Sequence, residues 1–288
     1  MSWIDAILQG TLLGGQYALF AAGLSLIFGV MRLVNIAHGD LIVLSAFIAL
    51  VCVESLNLHP LLSIFIVCPI MFCFGYALQK VILNQILGKD ILPVILVTFG
   101  ISIIIQNVLF EIFSADSQRL LSGELDTLSL KLSDTLSLGW LPLIAFLASI
   151  AVITSLQFFF YKTKTGMVFR ATSDNSEVVE LMGVNRNHVF ALAMGVALAV
   201  AALAAIFMGM RTNFDPSVGP ARLIYAFEAV IIGGLGSLWG TLAGGIIIGV
   251  SQAIGANINP GWQVLSGHLV FLFILAIKPN GLFPKTKD

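Results

Sequence analysis

Long apolar stretches separated by short polar ones run the length of the chain. They show neither the strict alternation of a surface strand nor the narrow stripe of a soluble helix. A helix needs about 20 apolar residues to cross a hydrocarbon layer of roughly 30 Å. Windows of that kind fall at 7–30, 33–53, 61–80, 92–113, 139–160 and 189–210. The stretch 223–256 is too long for one such helix and is interrupted by glycine, so it divides near Gly233–Gly236; a last span covers 263–277. The pattern predicts an all-α polytopic membrane protein, a single domain over 1–288. It has about nine spans, or eight with one piece re-entrant.

Composition agrees with lipid as part of the solvent. The chain is 58% hydrophobic and 10% charged, against about a quarter charged in soluble domains, with a mean hydropathy of +1.01. So much apolar sequence would leave a water-soluble fold with an apolar surface as well as an apolar core. A net charge of −1 leaves no basic surface for nucleic acid. Cys52, Cys68 and Cys73 all lie in apolar runs and read as small core residues, and the four histidines have no neighbouring ligands of metal-site spacing. Asp5 precedes the first apolar stretch and no basic segment does, which predicts a retained span rather than a cleaved leader.

Charge in the loops predicts the orientation. The loop 162–187 carries Lys162, Lys164, Arg170 and Arg186, and the tail carries Lys278, Lys285 and Lys287; both are expected on the cytoplasmic side. Lys80 and Lys89 flank a short inside loop. The loop 114–138 mixes Arg119 and Lys131 with Asp116, Glu124, Asp126 and Asp134 and is expected outside. Alternation then places the N-terminus outside.

Glycines recur four apart: Gly10 and Gly14; Gly236, Gly240 and Gly244; Gly245 and Gly249. Small residues at that spacing let a neighbouring helix approach closely, either within the chain or at a subunit contact or pore wall. Each half also has an interruption, Asn35-Ile36-Ala37-His38-Gly39-Asp40 in the first and Gly233-Gly234-Leu235-Gly236-Ser237 in the second. Irregular backbone at membrane depth is tolerated only where protein or a water-filled cavity satisfies it, and a breaker in each half points to a transport path built from a repeat.

Polar residues inside the spans are candidates for that path, because each is costly against lipid. They are Asn35, His38, Gly39 and Asp40 at the first interruption, and Glu228, Gly233, Gly234 and Ser237 at the second. Thr98, Gln106 and Asn107 lie in the span 92–113, and Gln252 and Asn257 near the end of their helix. A bond between His38 and Asp40 would fix the first break; capping by Asn35 and Asp40 is the structural alternative. At Glu228 the alternative is a carboxylate satisfied by backbone amides.

No phosphate-binding loop, zinc-protease helix or nucleophile elbow occurs: Gly88-Lys89-Asp90 lacks its upstream glycine, and Gly249-Val250-Ser251-Gln252-Ala253 lies in an apolar helix. No catalytic residue is expected, and any uphill transport takes its energy from a partner chain or an ion gradient.

The loop 162–187 holds a short helix. Asp174 is expected to cap it, with Glu177 reaching back three residues on, and Gly183 to end it. Val178, Leu181 and Met182 then form one apolar face. So short a helix is marginal alone, so it docks either on its own protein or in a groove of a cytosolic partner.

Glu177-Val178-Val179-Glu180-Leu181-Met182-Gly183 resembles the E-A-A-x-x-x-G loop of bacterial ABC importer permeases, with valines for the alanines and without the I-x-L-P ending. Gly14 to Val30, followed by Val34-Asn35-Ile36-Ala37-His38-Gly39-Asp40, looks like the opening of the branched-chain amino acid permeases. Phe227-Glu228-Ala229-Val230-Ile231-Ile232-Gly233-Gly234-Leu235-Gly236-Ser237 and the tail Lys278-Pro279-Asn280-Gly281-Leu282-Phe283 are similar to that family's closing segments. The likeness covers nearly the whole chain and does not specify the solute; urea and short-amide permeases are close relatives. It implies a permease subunit of an importer in the bacterial inner membrane. A second, distinct permease chain would complete a heterodimer, with two cytosolic ATPases holding ATP and Mg, and a periplasmic substrate-binding protein. No cofactor is expected on this chain. An ion-coupled carrier using His38, Asp40 and Glu228 is the rival reading; a passive channel would need no docking helix.

Overall fold

The computed structural model describes residues 3–87, 91–133 and 136–283. Gly88, Lys89, Asp90, Asp134, Lys285 and Lys287, which entered the motif and charge arguments, lie outside the described residues.

Eight described helices are long and apolar enough to cross a membrane. In the first half these are α1 (Trp3–Met31), α2 (His38–Leu56), α3 (Pro60–Val81) and α4 (Ile91–Phe113). A β-hairpin, β1 (Ser129–Ser133) with β2 (Leu136–Gly139), leads into α5 (Trp140–Lys162). Two short helices, α6 (Lys164–Asp174) and α7 (Ser176–Leu181), precede α8 (Arg186–Arg211). After the shorter α9 (Gly219–Gly233), which is not one of the eight, come the last two, α10 (Leu238–Ile258) and α11 (Gln263–Ile277). The protein is an all-α polytopic membrane protein apart from that hairpin. The divided stretch 223–256 does part at 234–237, but its first piece, α9, has only 15 residues and is about 22 Å long, short of a full crossing.

The loops sort to two ends. At one, the Ser173 hydroxyl donates to the Gly29 carbonyl, Asn84 donates to the Asn187 carbonyl, and Leu282 and Phe283 donate backbone bonds to Ile232 and Gly233. At the other, Gln9 reaches the Ser137 carbonyl, His59 the Ser122 carbonyl, and Gln118 pairs with Phe214. The first is called the α7 end and the second the hairpin end. The loop 162–187 and the start of the tail share the α7 end, and the loop 114–138 lies opposite, as the charge pattern predicts.

Neither half is a plain series of crossings. α1 runs to the α7 end, yet the next helix begins back at depth: the His38 ring is bonded to the Phe20 carbonyl, 11 residues before the end of α1, about 17 Å up its axis. Residues 32–37 span that distance in irregular backbone, which a six-residue extended segment just reaches. The second half does the same in the opposite sense. α8 ends at the hairpin end, residues 212–218 turn inward, and α9 starts against Gly39. The interruption matching 32–37 is therefore 212–218, not 233–237. The stretch 234–237 is a tight turn between α9 and α10, made possible by positive φ at Gly234 and Gly236.

Packing repeats this relation. α1 lies chiefly on α10 and α3 on α8, while α1 also touches α9 and α8 touches α2. Exchanging α1–α4 for α8–α11 preserves these contacts while reversing direction, the signature of an inverted repeat. Glycine makes both main contacts close. A Cβ on Gly14 would sit 2.4 Å from the Ile246 Cα and one on Gly249 2.3 Å from the Gly10 carbonyl oxygen; Gly75 and Gly195 hold α3 to α8 in the same way. Gly240 and Gly244 face Gly233 and Ala229 of α9. The glycine stripes thus serve packing within the chain.

Candidate functional site

α2 and the shorter α9 meet N-terminus to N-terminus. A Cβ on Gly39, in the first turn of α2, would lie 2.0 Å from the carbonyl oxygen of Gly219, the first residue of α9. Unpaired amides and the positive ends of two helix dipoles therefore converge at the middle of the bundle. Asp40 sits at that point, buried. Its Oδ2 accepts from the Ser102 hydroxyl at 2.5 Å and its Oδ1 from the Gln106 amide at 2.9 Å, both on α4. A carboxylate suits this place: dipole and donors both favour its charge.

His38 does not bond to Asp40. Its Nε2 donates to the Phe20 carbonyl at 3.0 Å, which leaves its buried Nδ1 without a partner. Asn35 makes the turn before α2, its Oδ1 accepting from the Ala37 amide at 3.1 Å. Asp40 lies in the first turn of α2, where its carboxylate also accepts from its own backbone amide. Of the residues in the span 92–113, Gln106 joins Asp40, Thr98 bonds only within α4, and Asn107 is exposed and bonds to Ile103 of its own helix.

Glu228 belongs to a second polar cluster, where α1, α9, α10 and α11 converge. His268 Nδ1 donates to Glu228 Oε1, so the partner of this carboxylate is a side chain and not the backbone. The imidazole lies parallel to the Tyr225 ring, and Tyr225 stacks in turn on Tyr17 with centroids 4.8 Å apart. The Tyr17 hydroxyl donates to Gln252 Oε1 at 2.6 Å, and Gln252 packs on Gly267 beside His268. Tyr17 is the central residue of α1, which puts the cluster near mid-depth. Tyr225, Arg222 and His268 were not among the sequence candidates. For the first two the one signal is the three-residue spacing of Arg222, Tyr225 and Glu228 along one side of α9; His268, on α11, has none.

Gly233, Gly234 and Ser237 join neither cluster. Gly234 packs on Gly281 of the tail, and the Ser237 hydroxyl accepts from the Gly240 amide at 3.2 Å to cap α10. Ile36, in the first break, lines an apolar groove of about 500 Å³ with Leu92, Pro93, Ile95, Leu96 and Phe99 of α4. Among the described residues no three His, Cys, Asp or Glu side chains gather as a metal site would.

The short helix predicted in 162–187 is α7, with its cap one residue later than expected. Asp174 ends α6, and Asn175 caps α7, its Oδ1 accepting from the Glu177 and Val178 amides. Gly183 (φ +85°) closes it, with Gly183 bonded to Glu180 and Val184 to Val179, the paired bonds of a Schellman motif. Val179 is buried and anchors the helix, while Leu181 and Met182 are 88% and 78% exposed and Val178 half so. Glu180 pairs with Arg186 at 2.9 Å. α6 fixes the stub to the body through Phe169, buried against Phe159 and Phe160, and through the Ser173–Gly29 bond.

A family model described as "Branched-chain amino acid transport system / permease component" matches residues 6–277. Among curated proteins, the chain is 26% identical to BraD of Pseudomonas aeruginosa, named a high-affinity branched-chain amino acid transport system permease protein, over 97% of this chain and 95% of that one. It is 22% identical to the LivH permease protein of Escherichia coli over the same shares. With a probable LivH of Methanocaldococcus jannaschii it shares 27% identity over 86% of this chain and 80% of that one. No solved structure matches significantly.

Proposed function

The chain belongs to the branched-chain amino acid transport permease family, and on that premise we propose that it is the membrane-spanning subunit of an ATP-driven importer carrying branched-chain amino acids across the bacterial inner membrane. It pairs with a second, homologous permease chain, two cytosolic ATPases work beneath the pair, and a periplasmic binding protein delivers the solute. The α7 end faces the cytoplasm and the N-terminus the periplasm. ATP and Mg reside on the ATPases, and this chain performs no bond chemistry.

The observation that carries the motor-coupled reading is α7: six residues, capped at both ends and anchored by Val179, present Leu181 and Met182 to water. Exposing two large apolar side chains on so small a helix costs stability unless a partner covers them. Asp174, Glu177, Val178, Glu180 and Gly183 frame that contact. Movement of α7 passes through α6 and the Ser173–Gly29 bond to the end of α1, where Gly29 meets Gly236 in the α9–α10 turn. The same push therefore reaches both halves of the repeat. The path runs past Asn35, His38, Gly39, Asp40, Thr98, Gln106 and Glu228, and the apolar groove at Ile36 suits a branched aliphatic side chain. Gly233, Gly234 and Ser237 act in the turn that transmits the movement.

The test is the double variant Glu177→Lys with Leu181→Asp in the reconstituted transporter. Leucine uptake should fall at least ~10-fold, the loss of a central apolar anchor, while the permease still reaches the membrane and basal ATP hydrolysis persists. Unchanged uptake overturns the coupling role. Unlabelled leucine, and not urea, should compete for uptake by the unaltered protein.

A further inference from the structure

The polar cluster between α1, α9, α10 and α11 is incomplete in a specific way. Glu228 accepts one bond from His268 at Oε1, but its Oε2 is buried with no partner. Gln252 accepts from Tyr17, but its Nε2 is buried with no partner. Arg222 Nε and Arg211 Nη1 are buried and unpartnered as well, and both guanidinium groups lie within electrostatic reach of the Tyr17 hydroxyl. The residues bearing the unmatched Glu228 and Gln252 atoms are 4% and 1% exposed. Each such orphan is costly and uncommon in a folded protein, and four in one neighbourhood call for a common cause.

Their chemistry is complementary to one kind of molecule. The set comprises one carboxylate acceptor and several donors, two of them on guanidinium groups, beside the stacked faces of Tyr17 and Tyr225. An ammonium group has only hydrogens to give and a carboxylate only lone pairs. We propose that this cluster is the intramembrane binding site for the α-amino and α-carboxyl groups of a zwitterionic amino acid in transit: Glu228 Oε2 accepts from the ammonium, and Arg222 with the Gln252 amide donates to the carboxylate. Tyr225, on the face of α9 between Arg222 and Glu228, is held between Tyr17 and His268, and this stack walls the site. His268 is a positioning residue that fixes the Glu228 carboxylate through the other oxygen. The aliphatic side chain is left to the apolar surroundings.

This site rests on the amino-acid transport reading, so the experiment separates the two. The purified transporter is reconstituted and [¹⁴C]leucine uptake is measured against three competitors: unlabelled leucine, 4-methylpentanoate, which lacks the ammonium, and isopentylamine, which lacks the carboxylate. Glu228→Gln keeps the shape and the Oε1 position but removes the charge. Its half-saturating leucine concentration should rise roughly 10- to 100-fold, the scale of one lost charge-assisted hydrogen bond, and 4-methylpentanoate should gain on leucine as a competitor. Arg222→Gln should do the converse, weakening leucine while leaving isopentylamine unaffected, so it decides the matter if the first variant fails to assemble. If the unaltered protein takes up no leucine, the transport reading fails. If it takes up leucine and the assembled variants match it within two-fold toward all three competitors, the site is overturned.

Discussion

At Gly39 there is no room for a methyl group. The backbone of α2 meets that of α9 so closely that a Cβ would lie within 2.0 Å of one carbonyl oxygen, and the obstacle is backbone rather than a side chain that can swing away. Gly39→Ala should lower the thermal unfolding midpoint of the detergent-solubilised permease, by the equivalent of about 1–3 kcal/mol for an overpacked core position. Gly100→Ala is the matched control, because nothing lies within 4 Å of a Cβ there; a helical Gly→Ala change with free space should be neutral or mildly stabilising. Asp40 acts beside Gly39 in a different way. It is the polar link by which α4, otherwise largely exposed, holds to α2. A double-mutant cycle on Asp40→Ala and Ser102→Ala should return a coupling of about 1.5–3 kcal/mol, as for other charge-assisted bonds. A coupling near zero would mean that the apolar contacts alone seat α4.

Among the elements, the full-length helices were readable from hydropathy because each buries or exposes a whole apolar window, and composition alone decides such windows. The short α9 was not. Residues 212–218 read as an ordinary surface connection, since Thr212, Asn213, Asp215 and Pro216 look the same whether a loop lies in water or folds back to mid-depth. Gly219, Pro220 and Arg222 then pushed the apparent start of the next span to 223. The first interruption was legible because Asn35, His38 and Asp40 are too polar for a lipid-facing helix, but the partners of those residues were not: Phe20, Ser102 and Gln106 are distant in sequence. The aromatic stack is harder still, since Tyr17, Tyr225, Gln252 and His268 come from four helices and no local spacing unites them. α7 shows the opposite limit. Its apolar face and terminal glycine were plain, and the error of one residue at the cap arose because Asp174 and Asn175 are both good caps. Asn175→Ala should therefore loosen α7 by about 1 kcal/mol, visible as faster amide exchange over 176–183, whereas Asp174→Ala should leave that exchange unchanged. Equal effects from both would restore the earlier boundary.

On the scale of the whole molecule, the inverted repeat bears directly on how such a protein opens to one side at a time. The N-termini of α2 and α9 meet at the centre, and each is reached through an irregular segment from its own end: 32–37 from the α7 end and 212–218 from the hairpin end. Because one half is the other turned over, a small rotation that widens the approach along one segment closes the approach along the other. Neither helix has to unfold for this to happen. The apolar groove at Ile36 opens beside the first segment, and Ser217 is exposed in the second. Cysteines placed at these two positions, in a chain whose Cys52, Cys68 and Cys73 are replaced by alanine, therefore report the two approaches separately. A membrane-impermeant maleimide should label Ile36→Cys only from the side bearing α7 and Ser217→Cys only from the opposite side. In the assembled importer, trapping the ATPases in their nucleotide-bound state should change the two labelling rates in opposite directions. Rates that rise or fall together would show that the two segments are not alternately exposed, and that the symmetry of the fold serves assembly rather than transport.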